Sequence, residues 1–305
     1  MTIHIQTPLL QSLSVGRQLP AKVWLKMEAM QPCGSFKARG VGYACTEYVN
    51  RGATSFVSSS GGNAGLAVAY SGRKLGVPVT VVVPTSTKKT AINLIEQEGA
   101  TVIVKGDIWL QAHEHALSLS NDKAIYIHPF DNPLLWTGHA SLIDEVAEQA
   151  IKPDLIVLSV GGGGLLCGVI QGLQNNQWED VPVLCVETQG ADCLAQSFNS
   201  GVHITLDAID SVATSLGATE IADQAFAHLA KPNIYSHVVS DKAAVDSCLK
   251  FVEDHRVIVE PACGASLAAV YEGCELIQDK KNILVIVCGG VGASVEQLTR
   301  WGREL

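Results

Sequence analysis

Residues 158–168 read LSVGGGGLLCG, and four consecutive glycines restrict how this stretch can fold. Glycine loses more backbone freedom on ordering than any other residue, so a run of four in an ordered segment needs a geometric reason. An apolar stretch with strand character, 154–160, precedes the run. The Leu-Leu-Cys-Gly-Val-Ile that follows can open a helix. A tight strand-to-helix turn suits both flanks. Its free N–H groups converge, and an anion such as a phosphate sits at the positive end of the helix. A flexible or glycine-tolerant turn with no ligand is the alternative that this stretch alone leaves open. The spacing is not G-x-G-x-x-G and no G-K-[ST] follows, so neither the dinucleotide fingerprint nor the P-loop is matched.

The chain has 305 residues, enough for one large domain or two lobes. Strand-like and helix-like segments alternate almost throughout, as in α/β architecture. Valine, isoleucine and leucine dominate an apolar fraction of 47%, which suits strands buried on both faces. Net charge is −9 and the lysines and arginines form no stripe, which argues against a nucleic-acid partner. The nine cysteines include no C-x-x-C pair. Cys167, Cys185 and Cys288 lie in apolar runs and read as reduced core thiols, pointing to the cytoplasm. The N-terminus lacks a signal-peptide pattern. The longest weakly polar stretch, 155–173, is interrupted by glycines and reads as strand then helix, so no membrane span is expected.

In chain order, residues 1–20 read as an arm tied onto the main body, and 23–27 as a short edge-like strand. Residues 28–37, EAMQPCGSFK, contain breakers at Pro32 and Gly34. Ser35 is a candidate N-cap for a helix over 36–49. That places Lys37 in the first turn, where the helix dipole disfavours a cation and favours a neutral amine. An ordinary exposed lysine fits the position equally. Residues 54–58 predict a strand that feeds Ser60-Gly61-Gly62-Asn63-Ala64, with helical spacing behind it to Leu75. Hydroxyls and amides at such a turn suit a carboxylate, or simply cap the helix.

Further strands are expected at 77–83, 101–104 and 124–127, with helices at 88–98 and 108–120. His113 and His115 are two apart and share no helix face, so a metal pair is not expected. Residues 128–131 form a loop leading into a long helix, 134–149. The next buried strand, 181–187, ends at Glu187, in the region where parallel sheets bind ligands. Glu187 could equally cap the next helix. A small-residue loop at 214–218, a helix at 241–252, a last strand at 283–287 and a final helix near 295–301 complete the reading.

Four of these features occur in one order: Ser35-Phe36-Lys37, the turn at 60–64, the glycines at 161–164 and Cys288-Gly289-Gly290. Together they resemble the serine/threonine dehydratases of the fold-type II pyridoxal-phosphate enzymes, above all the animal-type L-serine dehydratases and serine-dehydratase-like proteins. The resemblance covers roughly residues 8–300. It implies a tryptophan synthase β-like α/β fold with two open, twisted, mostly parallel sheets flanked by helices. The larger domain would be 1–30 with 131–305, and the smaller would be 31–130. It implies pyridoxal 5'-phosphate as cofactor, with Lys37 the Schiff-base lysine and Phe36 packed on the cofactor ring. Ser60, Gly61, Gly62, Asn63 and Ala64 would bind the substrate carboxylate, Asn63 also reaching the cofactor's phenolic oxygen. Gly161, Gly162, Gly163 and Gly164 would bind the phosphate, and Cys288 would face the pyridine nitrogen. Glu187, with carbonyls near Gly161, Ala191, Leu216 and Ala218, would hold a monovalent cation such as K+.

The implied reaction is α,β-elimination from a small hydroxy amino acid. Serine would give pyruvate and threonine 2-oxobutanoate, each with ammonia. Lys37 would take the α-proton. A neutral thiol opposite the ring nitrogen would favour prompt loss of the β-hydroxyl, and a thiolate would change that argument. Serine racemases carry a serine where this chain has Gly61, so racemisation is the runner-up. Threonine and cysteine synthases carry different loop patterns. Gly61 also departs from the alanine of the liver-type dehydratases. Retention of Lys37 and Asn63 counts against a non-catalytic ligand-binding descendant. A homodimer without an appended regulatory domain is expected.

Overall fold

The computed structural model describes residues 2–305. The chain opens with β1 (Leu9–Ser12) and β2 (Lys22–Lys26), then α1 (Lys37–Asn50), β3 (Ser55–Ser58) and α2 (Asn63–Leu75). β4 (Val79–Val83), α3 (Lys89–Gln97), β5 (Thr101–Val104), α4 (Trp109–Ser118) and β6 (Ala124–Tyr126) follow. α5 (Pro133–Glu148) leads to β7 (Leu155–Ser159), α6 (Gly164–Asn175), β8 (Val183–Thr188) and α7 (Cys193–Ser200). The chain ends with α8 (Asp223–His228), β9 (Ile234–Val239), α9 (Asp241–His255), α10 (Pro261–Tyr271), β10 (Asn282–Ile286) and α11 (Val295–Glu304). The expected elements are present with ends shifted by a few residues. β1, β9 and α8 were not anticipated, and α7 only as the helix after Glu187.

The chain divides into two compact units. One holds residues up to Ile5 together with Gln31–His139. Its sheet runs β5-β4-β3-β6, and every pair is parallel. Successive strand residues face opposite sides, so the two cores can be read along one strand. Phe56, Val81 and Val83 join Val41, Leu66, Val68 and Ile95 in one core. Val57 and Val82 join Ala112 and Ala116 of α4 in the other. The sheet is therefore covered on both faces, as parallel sheets require.

The other unit holds Gln6–Met30 and Ala140–Leu305. Its sheet runs β1-β2-β10-β7-β8-β9, with only β1 antiparallel. All residues of β7 and β8 are buried, which accounts for the apolar runs LIVL and VLCV that open them. The N-terminal arm is tied on by β1 and by a buried polar cluster. Lys26 forms an ion pair with Glu145 and donates to the Thr7 carbonyl at 2.8 Å. The Thr7 hydroxyl donates to Glu28 Oε1 at 2.6 Å. No helix among the described residues is long and apolar enough to cross a membrane.

Candidate active site

The site residues expected from sequence fall into two groups, one in each unit. In the first, Lys37 begins α1 and is half-buried. Its Nζ donates to the Pro129 carbonyl at 2.5 Å and lies 5.1 Å from the centre of the Phe36 ring. The expected N-cap, Ser35, is displaced by one residue. Phe36 occupies the cap position with φ −52° and ψ −20°, and no side chain caps the helix. A residue already in helical conformation there turns Ser35 away from the first-turn amides. Its Oγ is buried without a hydrogen-bond partner.

Behind Phe36 lies His139, fully buried, with ring centroids 4.9 Å apart. Its Nδ1 accepts the Gly40 amide at 3.2 Å, so the neutral ring carries its proton on Nε2. Burial, reinforced by Lys37 and Arg39, holds its pKa well below the ordinary histidine value. A β-carbon at Gly40 would lie 2.5 Å from this ring, so glycine makes the space that lets His139 support Phe36.

The turn from β3 to α2 carries the residues expected to bind the substrate carboxylate, 60–64. Gly62 is the N-cap of α2, in extended conformation, and offers no side chain to the first-turn amides of the helix that Asn63 and Ala64 begin. The Gly62 amide donates to Ser60 Oγ at 3.3 Å, and the Ser60 amide to Ser58 Oγ at 3.4 Å. A β-carbon at Gly61 would lie 2.7 Å from Thr87 Cγ2. Next to the Lys37 anchor, His128 Nδ1 accepts the Asp131 amide at 2.8 Å. Burial, then His113 and Lys37, lower the His128 pKa to about 4, so this ring is neutral.

In the second unit, Gly161, Gly162, Gly163 and Gly164 join β7 to α6. Gly163 caps the helix at φ +86°, where a β-carbon would lie 2.4 Å from Ala225 Cβ. Backbone conformation and space both require glycine there. No side chain caps α6. Its first-turn amides carry the partial positive charge that suits a phosphate. At Gly161 a β-carbon would lie 3.0 Å from the Ser215 carbonyl oxygen, so this turn is closely lined by backbone.

Cys288 follows β10 and is buried. The Cys263 side chain beside it, then burial and the charge of Glu260, push its thiol well above the ordinary value. Cys288 is therefore a neutral thiol at physiological pH. Glu187 is buried at the end of β8, and its two oxygens accept the amides of Leu194 at 2.9 Å and Ala195 at 2.7 Å. The capping alternative left open by the sequence is thus what this carboxyl does for α7. Burial pushes its pKa up to about 8 against the relief given by those two bonds. The Ala191 amide donates to the Thr188 carbonyl at 3.0 Å, and the Ala218 amide to the Leu216 carbonyl at 2.7 Å.

These donor sets fit a phosphorylated pyridine aldehyde. An uncapped helix start in a glycine turn takes a phosphate, and a primary amine beside an aromatic ring takes an aldehyde. The family model for "pyridoxal-phosphate dependent enzyme" matches residues 1–289. The chain belongs to the pyridoxal-phosphate-dependent enzymes. This enzyme is 45% identical over 308 residues to the L-serine dehydratase/L-threonine deaminase of Mus musculus, covering 97% of this chain and 94% of the mouse protein. It is 43% identical to the serine dehydratase-like protein of Homo sapiens, covering 97% and 93% of the two chains. A solved fungal L-serine ammonia-lyase from Rhizomucor miehei superposes with a TM-score of 0.95 at 34% identity, over 100% of this chain and 99% of that one. The enzyme also carries polar groups that no sequence motif marks: His128, His139, Tyr126 and Glu260. Only the fold brings each of them beside a motif.

Proposed function

We propose that the chain is an L-serine/L-threonine ammonia-lyase that eliminates water from the β-carbon of its substrate. The observation that carries the reading is the 45% identity, over nearly the full length of both chains, to a protein named L-serine dehydratase/L-threonine deaminase. Pyridoxal 5'-phosphate, bound covalently at Lys37, supplies an electron sink for the charge left on Cα.

The chain's own residues do the rest. Gly161, Gly162, Gly163 and Gly164 hold the cofactor phosphate at the start of α6. Phe36 would pack against the ring, and Asn63 would reach its phenolic oxygen. Cys288, as a neutral thiol, would stand at the ring nitrogen without fixing a proton there, which would favour loss of the β-substituent. The amides and hydroxyl of Ser60, Gly61, Gly62, Asn63 and Ala64 bind the substrate carboxylate at the positive end of α2. The Lys37 amine, when free of the cofactor, takes the Cα proton. The Pro129 carbonyl gives that amine a hydrogen-bonding seat. The β-hydroxyl would leave as water, the proton that completes it balancing the one Lys37 takes from Cα, and the enamine released would take up water to give a 2-oxo acid and ammonia. Gly61 has no side chain to deliver a proton to the opposite face of Cα, which favours elimination over racemisation.

A monovalent cation, K+ in this reading, binds Glu187 with carbonyls of Gly161, Ala191, Leu216 and Ala218. A buried carboxyl with a pKa near 8 is one that a nearby positive charge would ionise. We also read the protein as a cytoplasmic homodimer; its nine cysteines are all free thiols.

Purified protein is incubated with L-serine, L-threonine and D-serine, and the 2-oxo acid and the visible band of the bound cofactor are followed. The expected result is pyruvate from L-serine and 2-oxobutanoate from L-threonine, with band and product both lost in Lys37→Ala. Inverted serine without 2-oxo acid would overturn the reading in favour of a racemase.

A further inference from the structure

Behind residues 60–64, three polar side chains meet against an apolar layer. Ser59 Oγ lies 2.7 Å from Tyr126 Oη, and Tyr126 Oη lies 3.0 Å from His113 Nδ1. Ser59 Oγ also lies 3.4 Å from that nitrogen. Their surroundings are Val57, Val82, Ala112 and Ala116, with Ile103, Leu119 and Ala124 packed against them. A polar group in such a layer is unfavourable unless its hydrogen bonds are made. Here each group satisfies the others, and the three come from separate elements: the end of β3, the end of β6 and α4.

We propose that Tyr126 and His113 are positioning residues that fix the carboxylate loop through Ser59. This rests on the reading of residues 60–64 as the carboxylate seat. Ser59 is fully buried and immediately precedes Ser60. Ser60 Oγ accepts the Gly62 amide at the N-cap of α2, and a β-carbon at Gly65 would lie 1.7 Å from the Ser60 carbonyl oxygen. The Ser60 peptide is thus pressed against the helix on one side and aimed by Ser59 on the other. Burial lowers the His113 pKa, which favours the neutral ring. In the neutral tautomer protonated on Nε2, Nδ1 accepts from Tyr126 Oη–H and Tyr126 Oη accepts from Ser59 Oγ–H, which gives every hydroxyl hydrogen a direction. The His113 ring is itself held by stacking on Trp109, with centroids 4.7 Å apart and planes 10° apart. A serine hydroxyl with one fixed partner keeps one rotamer, and that holds the backbone of the next residue in the orientation an anion needs.

The test uses holoenzyme of Tyr126→Phe, which keeps the ring and removes the hydroxyl. L-alanine, which bears the carboxylate but no β-hydroxyl, is titrated while the visible cofactor band is followed. The dissociation constant is expected to rise about three- to tenfold, the effect of one net hydrogen bond, with affinity for pyridoxal phosphate unchanged. A second pair keeps the test open should that variant fold poorly. His113→Asn retains an acceptor near the Nδ1 position and is expected to bind L-alanine more tightly than His113→Leu. Unchanged L-alanine affinity in Tyr126→Phe, parallel loss of L-alanine and cofactor affinity, or equal behaviour of the two His113 variants overturns the proposal. If the wild-type protein makes no 2-oxo acid from L-serine, the proposed reaction fails. If it does and the variants behave as just described, the positioning role alone fails.

Discussion

The Glu260 carboxylate accepts the Gly292 amide at 2.7 Å, and so holds the strap of chain that follows Cys288. Between them Gly290 sits at φ +113°, where a β-carbon would lie 2.0 Å from the Glu260 carboxyl carbon. Gly290→Ala is expected to destabilise the fold by more than the ~1–3 kcal/mol of backbone strain alone. Urea unfolding measures the loss. The double variant Gly290→Ala/Glu260→Ala should recover part of it, because it removes the overlap and keeps the strain.

Lys26 is wholly buried on β2 and is paired with Glu145 of α5. Lys26→Met removes the ammonium partner of a mostly buried carboxylate. The expected loss is about 3–5 kcal/mol. Lys26→Met/Glu145→Met should unfold at higher urea than the single variant, which would separate charge from packing.

Glu187 makes stability depend on pH in a defined direction. Its pKa is raised from an ordinary 4.5 to about 8, so between these values the folded chain holds a proton that the unfolded chain has lost. Stability should therefore fall as pH rises through that window, and level off above it. Glu187→Gln should remove this component. In the cation reading, potassium chloride should raise the melting temperature near pH 8 more than tetramethylammonium chloride at equal ionic strength. The difference should shrink in the variant.

Gly61 faces Thr87: a β-carbon on the glycine would lie 2.7 Å from Thr87 Cγ2 and 3.2 Å from its Oγ1. Gly61→Ala should push the loop away from its seat and raise the KM for L-serine about tenfold, equal to ~1.4 kcal/mol. Thr87→Ser deletes the obstructing methyl group. Combined with Gly61→Ala, it should return KM most of the way in steady-state assays.

The sequence marked the parts of the candidate site that have their own backbone geometry. Gly163 at positive φ, the Ser60-to-Ala64 turn and Lys37 at a helix start each leave a local pattern. Strands β7 and β8 were legible because burial on both faces makes them continuous apolar runs. β9 was not. It lies at the sheet edge, half its residues are only partly covered, and Ser236 and His237 break the pattern. Ser35 was misread because N-cap preference is local, whereas Phe36 is held in helical conformation. His113 could be dismissed as half of a metal pair from its spacing to His115. Its contact with Tyr126 and Ser59 spans three elements, and no one-dimensional pattern carries that.

The strand order of the six-stranded sheet has a further consequence, for the order of assembly on the ribosome. β2, near the N-terminus, lies between β1 and β10, and β10 is the last strand synthesised. β1 and β2 can form a hairpin early, but the strand that joins them to β7 emerges only when nearly the whole chain has been made. The four strands of the other sheet are contiguous in sequence from Ser55 to Tyr126 and need nothing synthesised later to pair. Long-range parallel pairing closes slowly, and domains fold as units during synthesis. The unit bearing Lys37 can therefore form its sheet while the unit bearing the glycine turn is still waiting for its central strand.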